Sequence, residues 1–256
     1  MKAGKFDWQA RAIQAAFVIV LIALWYYVGR NSLVSPIFLP KLPNVVDKFL
    51  AIVQSSTFYG NLGITLFELL VAVAIASTCG LTVGYLVGRS RYAVVVFEPL
   101  LASVFAVPLV VFLPLFILFF GIGVESKIAF GAAYAFFPIA LNTIGGISQV
   151  DPRFVTVARS MGASERQLFR RVLLPAALPV IATGLRIGCT IGFLAILGSE
   201  MIAGLRGLGS RIVTLAEGMN TAEMFAYIVF VIFLAMILNI TLSQMQRRFG
   251  ENRRPA

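Results

Sequence analysis

Polar residues are scarce along this chain, and they gather in short clusters separated by long apolar runs. Six runs reach or approach the roughly twenty apolar residues with which a helix crosses a bilayer core. They are Ala12–Val28, Leu62–Gly88, Pro99–Val124, Ile128–Ile147, Leu178–Ser199 and Met224–Met245. The charges inside them are Glu68 and Arg186. Connections are short, apart from Gly29–Asn61 and a basic stretch, Asp151–Pro179, between the fourth and fifth runs. The pattern predicts an all-α membrane protein with six transmembrane helices.

The basic stretch, DPRFVTVARSMGASERQLFRRVLLPAALP, carries helix signals of its own. Asp151 ahead of Pro152 reads as an N-cap followed by a proline in the first turn, where the missing N–H costs nothing. The helix that follows sets Phe154, Val157, Ala158 and Met161 on one stripe. Gly162 supplies a left-handed stop. After Ala163, Ser164 with Gln167 three residues on forms a capping box that opens a second helix, expected to end at Pro175. A short amphipathic helix-turn-helix at a membrane surface is a docking element.

Two further segments break the apolar pattern. In LPKLPNVVDKFLAIV, Asn44 caps a short helix with Val45, Val46, Phe49, Leu50 and Val53 on one side, suited to lie along an interface. GLRGLGSRI, between the fifth and sixth runs, reads as a tight glycine-rich loop. Pro108 and Pro114 interrupt the third run and Pro138 the fourth. Such breaks either shape a pathway or are packing that neighbouring helices tolerate.

Composition agrees. At 59% hydrophobic and 12% charged, the 256 residues lie far from soluble proteins, which are roughly half apolar and about a quarter charged. One transmembrane domain is expected over 1–256: an N-terminal span plus outer interfacial helix over 1–61, then a core over 62–246 holding the loop 151–175. No cleavage site follows the first run, and Trp25, Tyr26 and Tyr27 look like an interfacial anchor, so that run reads as a retained span.

Charge sets the orientation. With the N-terminus inside, fourteen Lys and Arg fall on cytoplasmic segments: Lys2, Lys5, Arg11, Arg89, Arg91, Arg153, Arg159, Arg166, Arg170, Arg171, Arg247, Arg248, Arg253 and Arg254. Six fall outside: Arg30, Lys41, Lys48, Lys127, Arg206 and Arg211. Both termini and the basic stretch are therefore expected in the cytoplasm. The net charge of +10 flanks apolar spans and forms no soluble basic face, which points to the lipid bilayer and a cytosolic partner and excludes nucleic acid.

Several chemistries have no residues to carry them. Histidine is absent, which removes the commonest metal ligand and general base. Cys79 and Cys189 lie in apolar runs without paired spacing and read as packing residues. No G-x-x-x-x-G-K-[ST] loop is present, so no ATP cradle is expected in this chain. Neither catalytic residues nor a metal site emerge, and the chain is not read as an enzyme.

The basic stretch resembles the cytoplasmic loop of permease subunits of binding-protein-dependent ABC importers, whose signature runs E-A-A-x-x-x-G and closes on I-x-L-P. Gly162 stands at the glycine, Ala158 at the second alanine, Val157 at the first, Thr156 at the glutamate and Leu174–Pro175 at the closing Leu-Pro. The resemblance extends over about residues 36 to 249. IFLPKLPNVV, GRSRYAVVVFEPLL, VPLVVFLPLFILFFGIGVESKIAF, FFPIALNTIGGISQVDP and LRIGCTIGFLAILGSEMIAGLRGLG all look like the nitrate/sulfonate/taurine branch. The resemblance implies two permease copies, expected as a homodimer in a bacterial inner membrane, and two cytoplasmic ATPase subunits that bind ATP and Mg. A soluble or lipid-anchored periplasmic solute-binding protein completes the assembly. The loop, with Asp151, Phe154, Val157, Ala158, Met161, Gly162, Ala163, Ser164 and Pro175, becomes a coupling helix seated in the ATPase. The solute it implies is a small anion: nitrate, a sulfonate such as taurine, or an organic acid.

Within the membrane the polar candidates keep two readings each. A charge at mid-membrane costs about 2.5–3.5 kcal/mol on insertion scales. Arg186 is therefore either a pathway residue for an anion, or a structural partner of Glu98 or a side chain that snorkels to the interface. Glu200 either lines an outer gate or meets the binding protein, or it caps backbone or pairs with Arg206 or Arg211. Glu68 reads as a satisfied structural group. The cluster of Phe112, Phe116, Phe119 and Phe120 reads as lipid-facing or dimer packing ahead of a solute site. A secondary carrier would show paired repeats and coupling-ion residues, and a scaffold subunit would not need the capped helix pair.

Overall fold

The computed structural model describes residues 3–251. Lys2, Arg253 and Arg254, counted above as cytoplasmic charges, lie outside them, as do the side chains of Lys5, Arg11 and Arg248. Every regular element among the described residues is a helix. In chain order they are α1 (Ala3–Arg30), α2 (Leu42–Val53), α3 (Ser56–Gly88), α4 (Arg91–Ala106), α5 (Leu113–Phe120), α6 (Val124–Ser148), α7 (Pro152–Ser160), α8 (Glu165–Leu168), α9 (Leu174–Ala203), α10 (Leu208–Glu217) and α11 (Thr221–Glu251).

Among the described residues, five helical segments are long and apolar enough to span a membrane: Ala12–Arg30, Ser56–Gly88, Val124–Ser148, Glu165–Ala203 and Thr221–Arg247. The expected third span, Pro99–Val124, is instead a bent pair. α4 begins earlier, at Arg91, and runs through Pro99; the axis then turns by 76° into Leu109–Phe120. Pro108 is the cause. It offers no N–H, and it holds Val107 extended at φ −72° and ψ 134°, as a residue before proline must be. Pro114 interrupts nothing, because it stands in the first turn of α5. Pro138 lies within an unbroken α6, where Asn142 Nδ2 donates to its carbonyl at 2.8 Å.

The fold divides into two compact units, one made of the described residues up to Tyr59 with Arg211–Val231, the other of Gly60–Ser210 and the described residues from Ile232 onward. In the first, Trp25 Nε1 donates to the Pro40 carbonyl at 3.0 Å, and the ring leans on Phe225. Phe58, fully buried, meets Phe230 and Tyr227 edge-on. α2 buries Val45 and Ile52 and leaves Val46 and Leu50 exposed. Lys41, not Asn44, takes its N-cap position, because Pro43 already sits in the first turn and puts Asn44 inside the helix. The segment read as the GLRGLGSRI loop contains the start of α10. Arg211 on α10 bonds Glu223 at 2.8 Å, and that hydrogen bond holds its guanidinium above the ordinary value.

The second unit is built on α6, which has a glycine stripe against each of two faces. A Cβ at Gly80 of α3 would stand 2.8 Å from Ile139 Cγ2, and one at Gly188 of α9 would stand 2.6 Å from Ile139 Cγ1. The stripes recur every fourth residue, at Gly80, Gly84 and Gly88 and at Gly184, Gly188 and Gly192. Small residues at that spacing bring backbones together where lipid supplies no hydrophobic drive.

Candidate functional site

Three groups of residues in the second unit carry the polar chemistry. The first is the helix pair over 151–168, and its local signals act as the spacing predicts. Asp151 Oδ1 accepts from Arg153 N at 2.8 Å. At the other end of α7, Gly162 adopts φ +78°. Ala163 N donates to Ala158 O at 3.0 Å and Gly162 N to Arg159 O at 2.9 Å, which closes a Schellman turn. Ser164 Oγ then accepts from Gln167 N at 3.3 Å while Gln167 Oε1 accepts from Ser164 N at 2.9 Å, the reciprocal capping box.

The second helix does not stop at Pro175. α8 is one turn long and widens over Phe169–Leu173 into a π turn that runs straight into α9, with Pro175 in the first turn of α9. The wider turn gives room ahead of a ring that would clash with the preceding turn of a regular helix. Phe169 packs on Tyr85 of α3 with centroids 4.4 Å apart. The pair is thereby joined by continuous helix to a long span. Its apolar stripe is uncovered: Phe154 is 63%, Val157 58% and Met161 81% exposed. Thr156, at the signature's glutamate place, turns its hydroxyl back on Pro152 O at 3.0 Å.

The second group is a buried charge cluster. Lys127 Nζ lies 3.3 Å from Glu68 Oε1, and both side chains are almost fully buried. Lys127, assigned above to an outer loop, is instead in the first turn of α6 and paired across to α3. The Glu200 carboxylate lies beside that of Glu68. It accepts from Thr65 Oγ1 at 2.6 Å and from Gly209 N at 2.7 Å. Between the two structural readings of Glu200, the bond from Gly209 N is backbone capping, whereas Arg206 is exposed and Arg211 bonds Glu223. Gly207 at φ +116° leaves no room for a side chain, since a Cβ there would run into the Glu200 carboxylate. Hydropathy marks Glu68 and Glu200 as unusual; neither Thr65 nor Lys127 carries a signal that ties it to them.

Arg186 has no ion-pair partner among the described residues. It is half-buried in α9, and its Nε is buried without a hydrogen-bond partner. The pair with Glu98 is not formed among the described residues. The aromatic cluster around α5 is largely open: Phe119 is 72% and Phe120 51% exposed, while Phe116 meets Phe130 edge-on.

Comparison with known proteins yields a consistent set. Residues 76–254 match the model of the binding-protein-dependent transport system inner membrane component family. The taurine transport system permease protein TauC of Escherichia coli K12 is 34% identical over 90% of this chain and 85% of its own length. The aliphatic sulfonates transport permease protein SsuC proposed in Bacillus subtilis 168 is 33% identical over 82% and 76%. Among solved structures, a chain of the inward-facing MetNI methionine ABC transporter superposes with a TM-score of 0.64 at 22% identity, covering 75% of this chain and 96% of that one.

Proposed function

Because the chain belongs to the family of inner membrane components of binding-protein-dependent transport systems, we propose that it conducts a small sulfonate-type anion and that Arg186 meets that anion within the membrane. As the permease subunit of an ABC importer, it supplies the pathway. ATP and Mg are bound by separate ATPase subunits, and a solute-binding protein delivers the solute from the outer side. A second copy of the chain completes the pathway. The exposed stripe of α7, held between Asp151 and Ser164, docks in the ATPase, and movement there passes through Pro175 into α9 without a break. The bend at Pro108, with Pro114 opening the helix beyond it, shapes the wall, while Glu200 holds the loop at the end of α9.

The observation that carries the solute class is the unsatisfied Nε of Arg186 inside a span. A guanidinium inside a span with no carboxylate partner among the described residues is costly and belongs to a pathway or a water-filled cavity. A sulfonate stays ionised at any physiological pH and presents pairs of oxygens, which a guanidinium binds through two parallel N–H donors. The names of the relatives TauC and SsuC support the same class.

The test is uptake of labelled taurine or an alkanesulfonate into proteoliposomes holding the full complex. Loss of one charge-assisted hydrogen bond, about 1.5–3 kcal/mol, should lower uptake by Arg186→Met roughly tenfold or more, with assembly and ATP hydrolysis retained. Arg186→Lys should keep part of it. Wild-type uptake by Arg186→Met would remove Arg186 from the pathway, and failure of sulfonates to be imported or to compete would overturn the solute class.

A further inference from the structure

The end of the molecule read above as cytoplasmic holds a cavity of about 890 Å³ between the α3–α4 turn and the helix pair. Its walls differ in chemistry. Val94 and Val95 of α4 with Ile147 make an apolar side, and Arg89, Arg91 and Arg159 with Glu165 make a charged one of net positive sign. Arg159 is neutralised by Glu165 at 3.0 Å. Arg89 and Arg91 have no carboxylate partner among the described residues. The Arg89 guanidinium lies 5.8 Å from the centroid of the Tyr85 ring, which steadies its face and leaves its N–H edge for an acceptor. Val95 above them is 69% exposed, so the apolar wall continues onto the outer surface of the span.

α7 has two faces. Pro152, Val155, Thr156 and Arg159 line the cavity, whereas Phe154, Val157 and Met161 lie off it. An occupant of the cavity would therefore touch α7 from behind the stripe assigned to the ATPase. Thr156 is also the position where the family signature has glutamate. A carboxylate there would bring a second negative charge, besides that of Glu165 on Arg159, to the same cavity as Arg89 and Arg91; threonine, hydrogen-bonded to its own helix, adds none.

We propose that this cavity binds an anionic phospholipid of the cytoplasmic leaflet, its phosphate on Arg89 and Arg91 and its acyl chains along Val94 and Val95. The site rests on the cytoplasmic placement of this end. A free phosphate would satisfy the arginines but leave the valine wall facing water. A phospholipid satisfies both at once, and basic pockets at the cytoplasmic ends of spans hold such headgroups.

The experiment is native mass spectrometry of the full chain in neutral detergent, offered phosphatidylglycerol and phosphatidylcholine with identical acyl chains. Phosphatidylglycerol should be retained in preference. Arg89→Gln and Arg91→Gln should each weaken retention about fivefold, the effect of one basic residue near an anionic surface. Thr156→Glu should weaken it with every arginine in place, and Arg89→Lys with Arg91→Lys should largely preserve it. Arg171→Gln, exposed and off the cavity, should change nothing. Equal retention of the two lipids, or retention unaffected by Thr156→Glu, would overturn the proposal. Displacement of phosphatidylglycerol by millimolar inorganic phosphate would assign the site to a soluble anion and overturn it too. No transport is measured, so failure here leaves the importer reading intact, and failed uptake leaves this site standing.

Discussion

Glu68 and Lys127 hold each other at 3.3 Å with almost no access to solvent, and removal of Lys127 leaves the Glu68 and Glu200 carboxylates buried side by side without their cation. Lys127→Met is expected to cost about 3–5 kcal/mol of stability. Adding Glu68→Met should restore part of it, because it removes the carboxylate left facing the substituted position, while Glu200 keeps its bonds from Thr65 and Gly209. Thermal unfolding in detergent reads both, and a double variant no more stable than Lys127→Met would show that the ion pair is not the unit. Charge at membrane depth was legible at Glu68 and Arg186. The partner of Glu68 was not, since hydropathy placed Lys127 at a span's end and nothing along the chain joins it to a residue 59 positions away. Arg186 shows the converse: its isolation is visible only once the surroundings of Nε are known.

Helix caps act within four or five residues, and for that reason Asp151, Gly162 and the Ser164–Gln167 box were readable in advance. Proline was less so. The same residue type bends the chain at Pro108, begins a helix at Pro114 and passes inside a continuous one at Pro138, because the outcome depends on whether neighbouring turns can widen or re-satisfy the freed carbonyl. The glycines at every fourth position of α3 and α9 were present as a pattern too, yet only the packing against Ile139 identifies α6 as the helix between them. At this scale the docking stripe of α7 is open to test. Met161 is 81% exposed, so Met161→Asp should leave the melting temperature nearly unchanged. As a buried anchor of an interface it should cost about 2 kcal/mol or more of binding, roughly thirtyfold, and strip the ATPase from the complex during purification. Wild-type recovery of the ATPase with Met161→Asp would end the docking assignment.

For the molecule as a whole, orientation rests on the excess of Lys and Arg at one side of the spans. It is tested by single cysteines in a Cys79→Ala/Cys189→Ala background, probed with an impermeant maleimide on intact cells whose outer barrier has been opened. Ser35→Cys, in the segment after α1, should be labelled directly, and Ser160→Cys, at the end of α7, only after the inner membrane is permeabilised. The reverse pattern would invert the topology and the cytoplasmic placement of the helix pair with it. Taken alone, the amino-acid sequence determined the helical class, the apolar runs, the caps of the helix pair and the family resemblance, all of which depend on residues near one another along the chain. Only the tertiary structure decided that Lys127 is buried with Glu68, that Glu200 is tied to Thr65 and Gly209, that the third run is bent, and that α8 feeds without a stop into α9. The first two outcomes follow from contacts between distant segments, and the last two from how the turns beside Pro108 and Pro175 bend or widen to accommodate a proline ring, which no local periodicity encodes.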